Sequence, residues 1–89
     1  MLNIFYTPSF IRRYKNLDPL LKIEVKEKIE EFRNSKNHLK LKVHKLKGYL
    51  INTYSFSVNF KIRIIFEYQK KRENINLLYV GSHDKSYKI

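Results

Sequence analysis

Leu2, Ile4 and Tyr6 alternate with Asn3 and Phe5, a period of two that predicts a short first strand. Thr7-Pro8 ends it. Threonine is an N-cap and proline suits the first helical position, so a helix over about residues 8–16 follows, its apolar side made of Phe10, Tyr14 and Leu17 with Ile11 beside them. Asp18-Pro19 repeats the signal. A longer helix to about residue 34 then sets Leu21, Val25, Ile29 and Phe32 on one narrow stripe at helical spacing, so the two helices form a hairpin over a core. Glu24, Glu27, Glu30 and Glu31 interleave with Lys22, Lys26 and Lys28, which reads as a solvated helix face and not as an acid/base pair.

Asn34-Ser35-Lys36-Asn37 breaks the helix, and the period changes to two. Leu39, Leu41 and Val43 alternate with Lys40, Lys42 and His44, predicting a strand over residues 39–44. The phase slips before Lys45-Leu46-Lys47-Gly48, which predicts a bulge or turn there. Three further strands follow: Tyr54, Phe56 and Val58 against Thr53, Ser55 and Ser57; Ile62, Ile64, Phe66 and Tyr68 against Lys61, Arg63, Ile65 and Glu67; and Ile75, Leu77 and Tyr79 against Asn76, Leu78 and Val80. Turns fall near Asn59-Phe60 and over residues 70–74. Helices first and strands after make the fold class α+β: an N-terminal helical hairpin packed on one face of a mainly antiparallel sheet of four to five strands, with no repeat or linker. Residues 1–89 are expected to form a single domain, since a chain of 89 residues is too short for a second core.

Composition narrows the chemistry. The chain has no cysteine, which removes disulfides, thiolate nucleophiles and Cys-ligated metal. No apolar run approaches a membrane span and the N-terminus lacks a signal-peptide pattern, so the expected location is the cytoplasm. Nineteen Lys+Arg against eight Asp+Glu give a formal charge of +11, and it is unevenly placed: residues 1–35 carry 7 basic and 5 acidic side chains, residues 36–89 carry 12 and 3. So lopsided a surface attracts polyanions through phosphate neutralisation and counterion release.

There is no phosphate-cradling glycine loop and no nucleophile elbow. His38, His44 and His83 lack local metal-ligand spacing, and carboxylates are too sparse in the sheet region for a two-metal nuclease. No metal or other cofactor is expected. What remains is cationic: Lys45 and Lys47 before Gly48, Arg63 inside a strand, and His83 just after Gly81. These types suit metal-free RNA cleavage, in which a ribose 2′-hydroxyl attacks the adjacent phosphate and a base, an acid and a cation are needed. Histidine titrates near neutrality, arginine offers a planar fork to phosphate oxygens, and Tyr87 can stack on a base. Each residue has a plainer reading. Arg63 is otherwise an outward strand residue, although its face also carries Ile65, Leu78 and Val80 and so predicts a covered or partner-binding surface. His44 is otherwise a bystander on an exposed strand edge, His83 a turn histidine, Tyr87 a C-terminal anchor and Lys61 a turn charge.

Four segments in order, Thr7-Pro8 with Phe10, His44-Lys45-Leu46-Lys47-Gly48, Arg63-Ile64-Ile65-Phe66, and Val80-Gly81-Ser82-His83-Asp84 followed by Tyr87, resemble the RelE/ParE toxin superfamily of type II toxin–antitoxin modules, especially its YafQ-like ribonuclease branch. The resemblance spans nearly the whole chain. It implies a toxin that cuts mRNA in the ribosomal A site and is silenced by a cognate antitoxin. His83 matches the histidine that gives or takes the proton at the scissile linkage, Arg63 the strand arginine on the phosphate charge, His44 a secondary substrate or acid/base contact, and Tyr87 the aromatic that stacks on or orients the RNA. Lys45, Lys47 and Lys61 are expected on the substrate side. Lys61 stands where many relatives carry an aspartate, Ile62 where they carry an aromatic and Ser57 where some carry a histidine, which leaves the general base open. Two alternatives stand beside this reading: a ParE-like inhibitor of DNA gyrase, and a non-catalytic RNA- or ribosome-binding module. Leu20 and Ile23, off the main stripe, either dock an acidic or extended antitoxin segment or pack on the first helix.

Overall fold

A five-stranded sheet in the order β1-β5-β4-β3-β2 carries both helices on one face. The computed structural model describes residues 1–47 and 52–82. Along the chain lie β1 (Asn3–Tyr6), α1 (Pro8–Lys15), α2 (Pro19–Phe32), a 3-10 turn (Ser35–Asn37), β2 (His44–Lys45), β3 (Thr53–Ser57), β4 (Ile62–Tyr68) and β5 (Asn74–Ser82). Only β1 and β5 run parallel; the other neighbours are antiparallel, as the α+β reading requires.

Both helices start where their caps predict. Thr7 Oγ1 accepts from the Phe10 amide at 3.3 Å and Asp18 Oδ1 from the Leu21 amide at 3.0 Å, with Pro8 and Pro19 next in line. Phe10, Val25, Ile29 and Phe32 then meet Phe56, Ile64, Phe66, Ile75, Leu77 and Val80 from the sheet. Phe32 lies at the centre of this layer, stacked on Phe56 at 4.3 Å and tilted against Phe66 at 4.8 Å. Burying each such side chain stabilises the fold by about 1.5–3 kcal/mol.

The strand expected over residues 39–44 does not form. In its place the amides of Asn37, His38, Leu41 and Val43 bond to the carbonyls of Asn34, Ser35, Asn37 and His38, a series of short turns in which Lys42 takes a left-handed φ of 58°. Local bonding outweighs the alternation: Asn34 Oδ1 accepts from the Lys36 amide, and His38 stacks on Phe32 at 4.7 Å while its Nε2 donates to the Phe32 carbonyl at 2.9 Å. Leu41 still reaches the core, whereas Leu39 is left 93% exposed, and β2 shrinks to His44 and Lys45. Gly48, in the segment expected to bulge, lies outside the described residues.

A bulge does occur, in β5. Phe66 pairs with Leu77 but Ile65 pairs with Tyr79, so Leu78 is an extra residue without a partner on β4. The alternation inverts past it. Ile75 and Leu77 face the helices as predicted, but Val80, expected on the second face, points into the main core, and Tyr79, expected in the core, turns to the second face. The first turn of α1 takes up the carbonyls at the irregularity: Thr7 Oγ1 donates to Leu77 O at 2.8 Å and Ser9 Oγ to Leu78 O at 2.8 Å, where the β1 pairing ends at Tyr6.

One ion-pair cluster ties α2 to the turn region. Lys40 Nζ lies 3.0 Å from Glu31 Oε1, off the line of a good hydrogen bond, and Lys28 Nζ lies 3.3 Å from Oε2. The Lys40 ammonium, followed by Lys28, holds the Glu31 carboxyl below its ordinary value of 4.5 against the opposing effect of partial burial. A lowered folded value means stability that is present above pH 4.5 and lost as pH falls through the folded value. Glu31→Gln is therefore expected to cost about 0.5–1 kcal/mol at pH 7. Its melting-temperature deficit against wild type should shrink as pH is lowered below 4.5; a deficit independent of pH would show that the pair contributes nothing.

Candidate active site

The face of the sheet opposite the helices carries its side chains in two rows. His44, Ser55, Ile65 and Tyr79 are successive cross-strand partners from β2 to β5, and Ser57, Arg63 and Gly81 form the row beside them. Leu46, Ile65 and Tyr79 are buried together with Leu78 packed against them, a small second core. The expectation of a covered, partly apolar face holds, with Tyr79 in place of Val80.

Arg63 projects from the start of β4, its second residue, onto this face. Its Nε and Nη1 are buried and have no hydrogen-bond partner among the described residues. A desolvated guanidinium without an acceptor is unfavourable, and the group that best relieves it is an anion able to take two parallel N–H bonds. Glu67, on the same face and strand, accepts instead from Asn76 Nδ2 at 3.0 Å, which in turn is linked through its Oδ1 to Gln69 Nε2.

His44 sits on the exposed edge strand. Its Nδ1 donates to the Lys42 carbonyl at 2.9 Å, and a carbonyl can only accept, so in the neutral ring Nε2 carries the lone pair. That nitrogen lies 3.5 Å from Ser55 Oγ, at the outer limit of a hydrogen bond. His44 and Arg63 are two strands and two residues apart on one face, about 12 Å between Cα atoms by strand spacing and rise.

The other expected residues fall in different places. Lys45 and Lys47 are exposed and line, with His44 and Leu46, a depression of about 350 Å³ beside the edge strand. Lys61 lies in the β3–β4 turn, in a groove with Leu20, Leu21, Glu24 and Phe60. Leu20 and Ile23 are 80% and 55% exposed, which removes the reading that they pack on α1. His83 and Tyr87 lie outside the described residues; the described chain reaches Ser82, one residue past the partner of Arg63.

No protein-family model matches the chain, and no curated protein does. Solved structures do. The YoeB–YefM complex from Staphylococcus aureus superposes with a TM-score of 0.70 at 21% identity, covering 93% of this chain and 98% of that one. The archaeal RelE–RelB complex from Pyrococcus horikoshii gives 0.71 at 15%, covering 96% and 98%. The intact RelBE toxin–antitoxin complex from E. coli gives 0.70 at 14%, covering 92% and 96%. The chain has the RelE-type toxin fold.

On this RelE-type scaffold two further residues of the second face, Tyr79 and Arg13, escaped the sequence reading. Tyr79 is turned onto the second face by the bulge, and Arg13 of α1 lies over its ring, 4.2 Å from the centroid. Gly81 makes room for that ring: a Cβ built there would stand 2.7 Å from Tyr79 Cε1 and from Oη. The signal for Tyr79 was the unbroken apolar run Leu77-Leu78-Tyr79-Val80, which no alternating strand contains. Gly81→Ala is expected to displace the ring and to cost about 1–3 kcal/mol. Chemical denaturation should show most of that cost vanishing when Tyr79 is already Leu; an equal cost in both backgrounds would mean that the glycine serves something else.

Proposed function

We propose that the protein is the toxin of a type II toxin–antitoxin pair: a metal-independent endoribonuclease of the YafQ-like branch that acts in the cytoplasm and cuts mRNA in the ribosomal A site. The observation that carries this reading is Arg63, whose Nε and Nη1 are buried without a partner among the described residues, on a face shared with His44 in a chain of charge +11. The likeness in fold to chains solved as toxin–antitoxin complexes supports it. So does the sequence resemblance at His83 and Tyr87.

In the proposed reaction the 2′-oxygen attacks the neighbouring phosphorus, the bond to the 5′-oxygen breaks, and a 2′,3′-cyclic phosphate and a 5′-hydroxyl result. One proton leaves the 2′-hydroxyl and one is delivered to the departing oxygen. His83 exchanges the proton at the scissile linkage, and His44 offers Nε2 as a second acid/base or substrate contact, its ring held by the Lys42 carbonyl. Arg63 balances the charge that grows on the phosphorane. Tyr87 stacks on the RNA, and Lys45, Lys47 and Lys61 hold its flanking phosphates. Among the described residues no helix is long and apolar enough to cross a membrane. The antitoxin, an acidic or extended segment, covers the cationic surface and seats apolar side chains on exposed Leu20, Ile23 and Phe60.

Primer-extension mapping of mRNA ends after expression tests the proposal. Wild type should generate new ends and arrest growth. His83→Ala should lose cleavage by about 10²–10⁴-fold, and Arg63→Ala by about 10²–10³-fold, with ribosome binding retained. Growth arrest that survives both substitutions with accumulating DNA breaks would favour a topoisomerase poison. Absence of damage to any nucleic acid by wild type would leave a binding module.

A further inference from the structure

We infer that Arg13 is a second phosphate-binding guanidinium of the Arg63 site, presented by the ring of Tyr79; the inference rests on the RNA-binding reading above. The direct cross-strand partner of Arg63 is Gly81, and side chains so paired stand about 4.5–5.5 Å apart at Cβ. Gly81 has no side chain, and the ring of Tyr79 fills that place: Cε1, Cζ and Oη lie 2.7–2.9 Å from where its Cβ would be. The phenol ring is thus the neighbour of Arg63 on β5.

Arg13 lies over this same ring at 4.2 Å. Stacking of a guanidinium on an aromatic face fixes its plane and leaves its N–H edge free to donate. No carboxylate pairs with Arg13 among the described residues, although Glu30 and Glu31 of the adjacent helix pair with Arg33, Lys28 and Lys40. Arg13 itself is exposed, whereas Arg63 is half-buried with two nitrogens fully covered. One ring therefore stands beside two guanidiniums, one deep and one at the rim. That arrangement suits consecutive phosphates of a single strand better than a lone anion.

The position of Arg13 is set from two directions. Thr7 and Ser9 anchor the start of α1 to the Leu77 and Leu78 carbonyls, and the same bulge turns Tyr79 outward to meet the last turn of the helix. Arg12 and Lys15 share that last turn, but neither has a ring contact among the described residues. Tyr79 is a positioning residue here, and Arg13 a binding residue.

The test uses a fluorescent single-stranded RNA with 2′-O-methyl ribose throughout, which cannot be cut, titrated with the full chain over a range of salt concentrations. Arg13→Ala is expected to weaken binding about tenfold at low salt and to flatten the salt slope by about 0.7, the signature of one lost phosphate contact on a single strand. Arg13→Lys should keep the slope and lose part of the affinity, because charge remains while the stacked fork does not. Tyr79→Leu should reproduce the loss and add nothing to Arg13→Ala, whereas Tyr79→Phe should bind like wild type. Thermal melts check that each variant folds, and should Tyr79→Leu fail that check, the Arg13 variants and Tyr79→Phe decide alone. Wild-type affinity and slope in Arg13→Ala would overturn the inference, as would an equal loss in Arg12→Ala. A wild-type chain that binds no RNA at all would instead remove the reading on which it rests.

Discussion

Much of this molecule depends on a single unpaired residue in β5. Leu78 has no partner on β4, and the strand on either side of it faces opposite ways. Without that insertion Ile75, Leu77 and Tyr79 would lie on one face, and the main core would have to hold a phenol hydroxyl while Val80 went to the other side. With it, Val80 fills the helix-covered layer and Tyr79 joins Leu46 and Ile65 in the second cluster. The irregularity also exposes carbonyls to the hydroxyls of Thr7 and Ser9, so the feature that re-aims Tyr79 also fixes the start of α1. Bulges are known to bend strands and re-aim side chains beside functional sites, and here one residue does both.

Legibility in the sequence followed the range of the interactions. The helices were readable because their caps and stripes are local: Thr7-Pro8 and Asp18-Pro19 act within three residues, and Phe32 sits where the period of α2 puts it. β3 was readable because it alternates strictly, and β4 because it departs from alternation only at Ile65 and keeps its phase. The segment over residues 39–44 alternates just as cleanly and is not a strand. Its amides are taken by carbonyls three to five residues back, and the contact that organises it, His38 on Phe32, lies between residues of different elements that no periodicity links. Of the candidate site, Arg63 and His44 could be found by residue type and face. Tyr79 required the phase of β5, and Arg13 required knowing which ring its helix passes; both depend on the bulge. His83 and Tyr87 lie outside the described residues, so their roles rest on the sequence pattern.

The second face also explains why a small domain tolerates a costly group. Two buried guanidinium nitrogens without a partner among the described residues lower stability, and hydrophobic isosteres at such positions often do better. The main core carries that burden, with four helix residues and six strand residues interlocked around Phe32. Placing Arg63 on the central strand of the sheet, paired with Ser57 of β3 and Gly81 of β5, flanks it by backbone on both sides. A site on a central strand is held more tightly than one on a loop.

Charge placement completes the division between the two faces. Four of the eight acidic side chains sit on α2, where Glu31 is engaged by Lys28 and Lys40, Glu30 by Arg33, and Glu24 accepts from Asn59. The sheet keeps Glu67, and that carboxylate is occupied by Asn76. Acidic groups near Arg63 would compete for it as internal acceptors and remove its tendency to seek an external anion. Among the described residues Glu67 is the one carboxylate on the strands of this face, and its engagement with Asn76 leaves Arg63 Nε and Nη1 without an internal acceptor. Exposed charges interact over roughly the Debye length, about 8–10 Å at ordinary salt, so the placement of the acidic groups is as much a part of the candidate site as Arg63 itself.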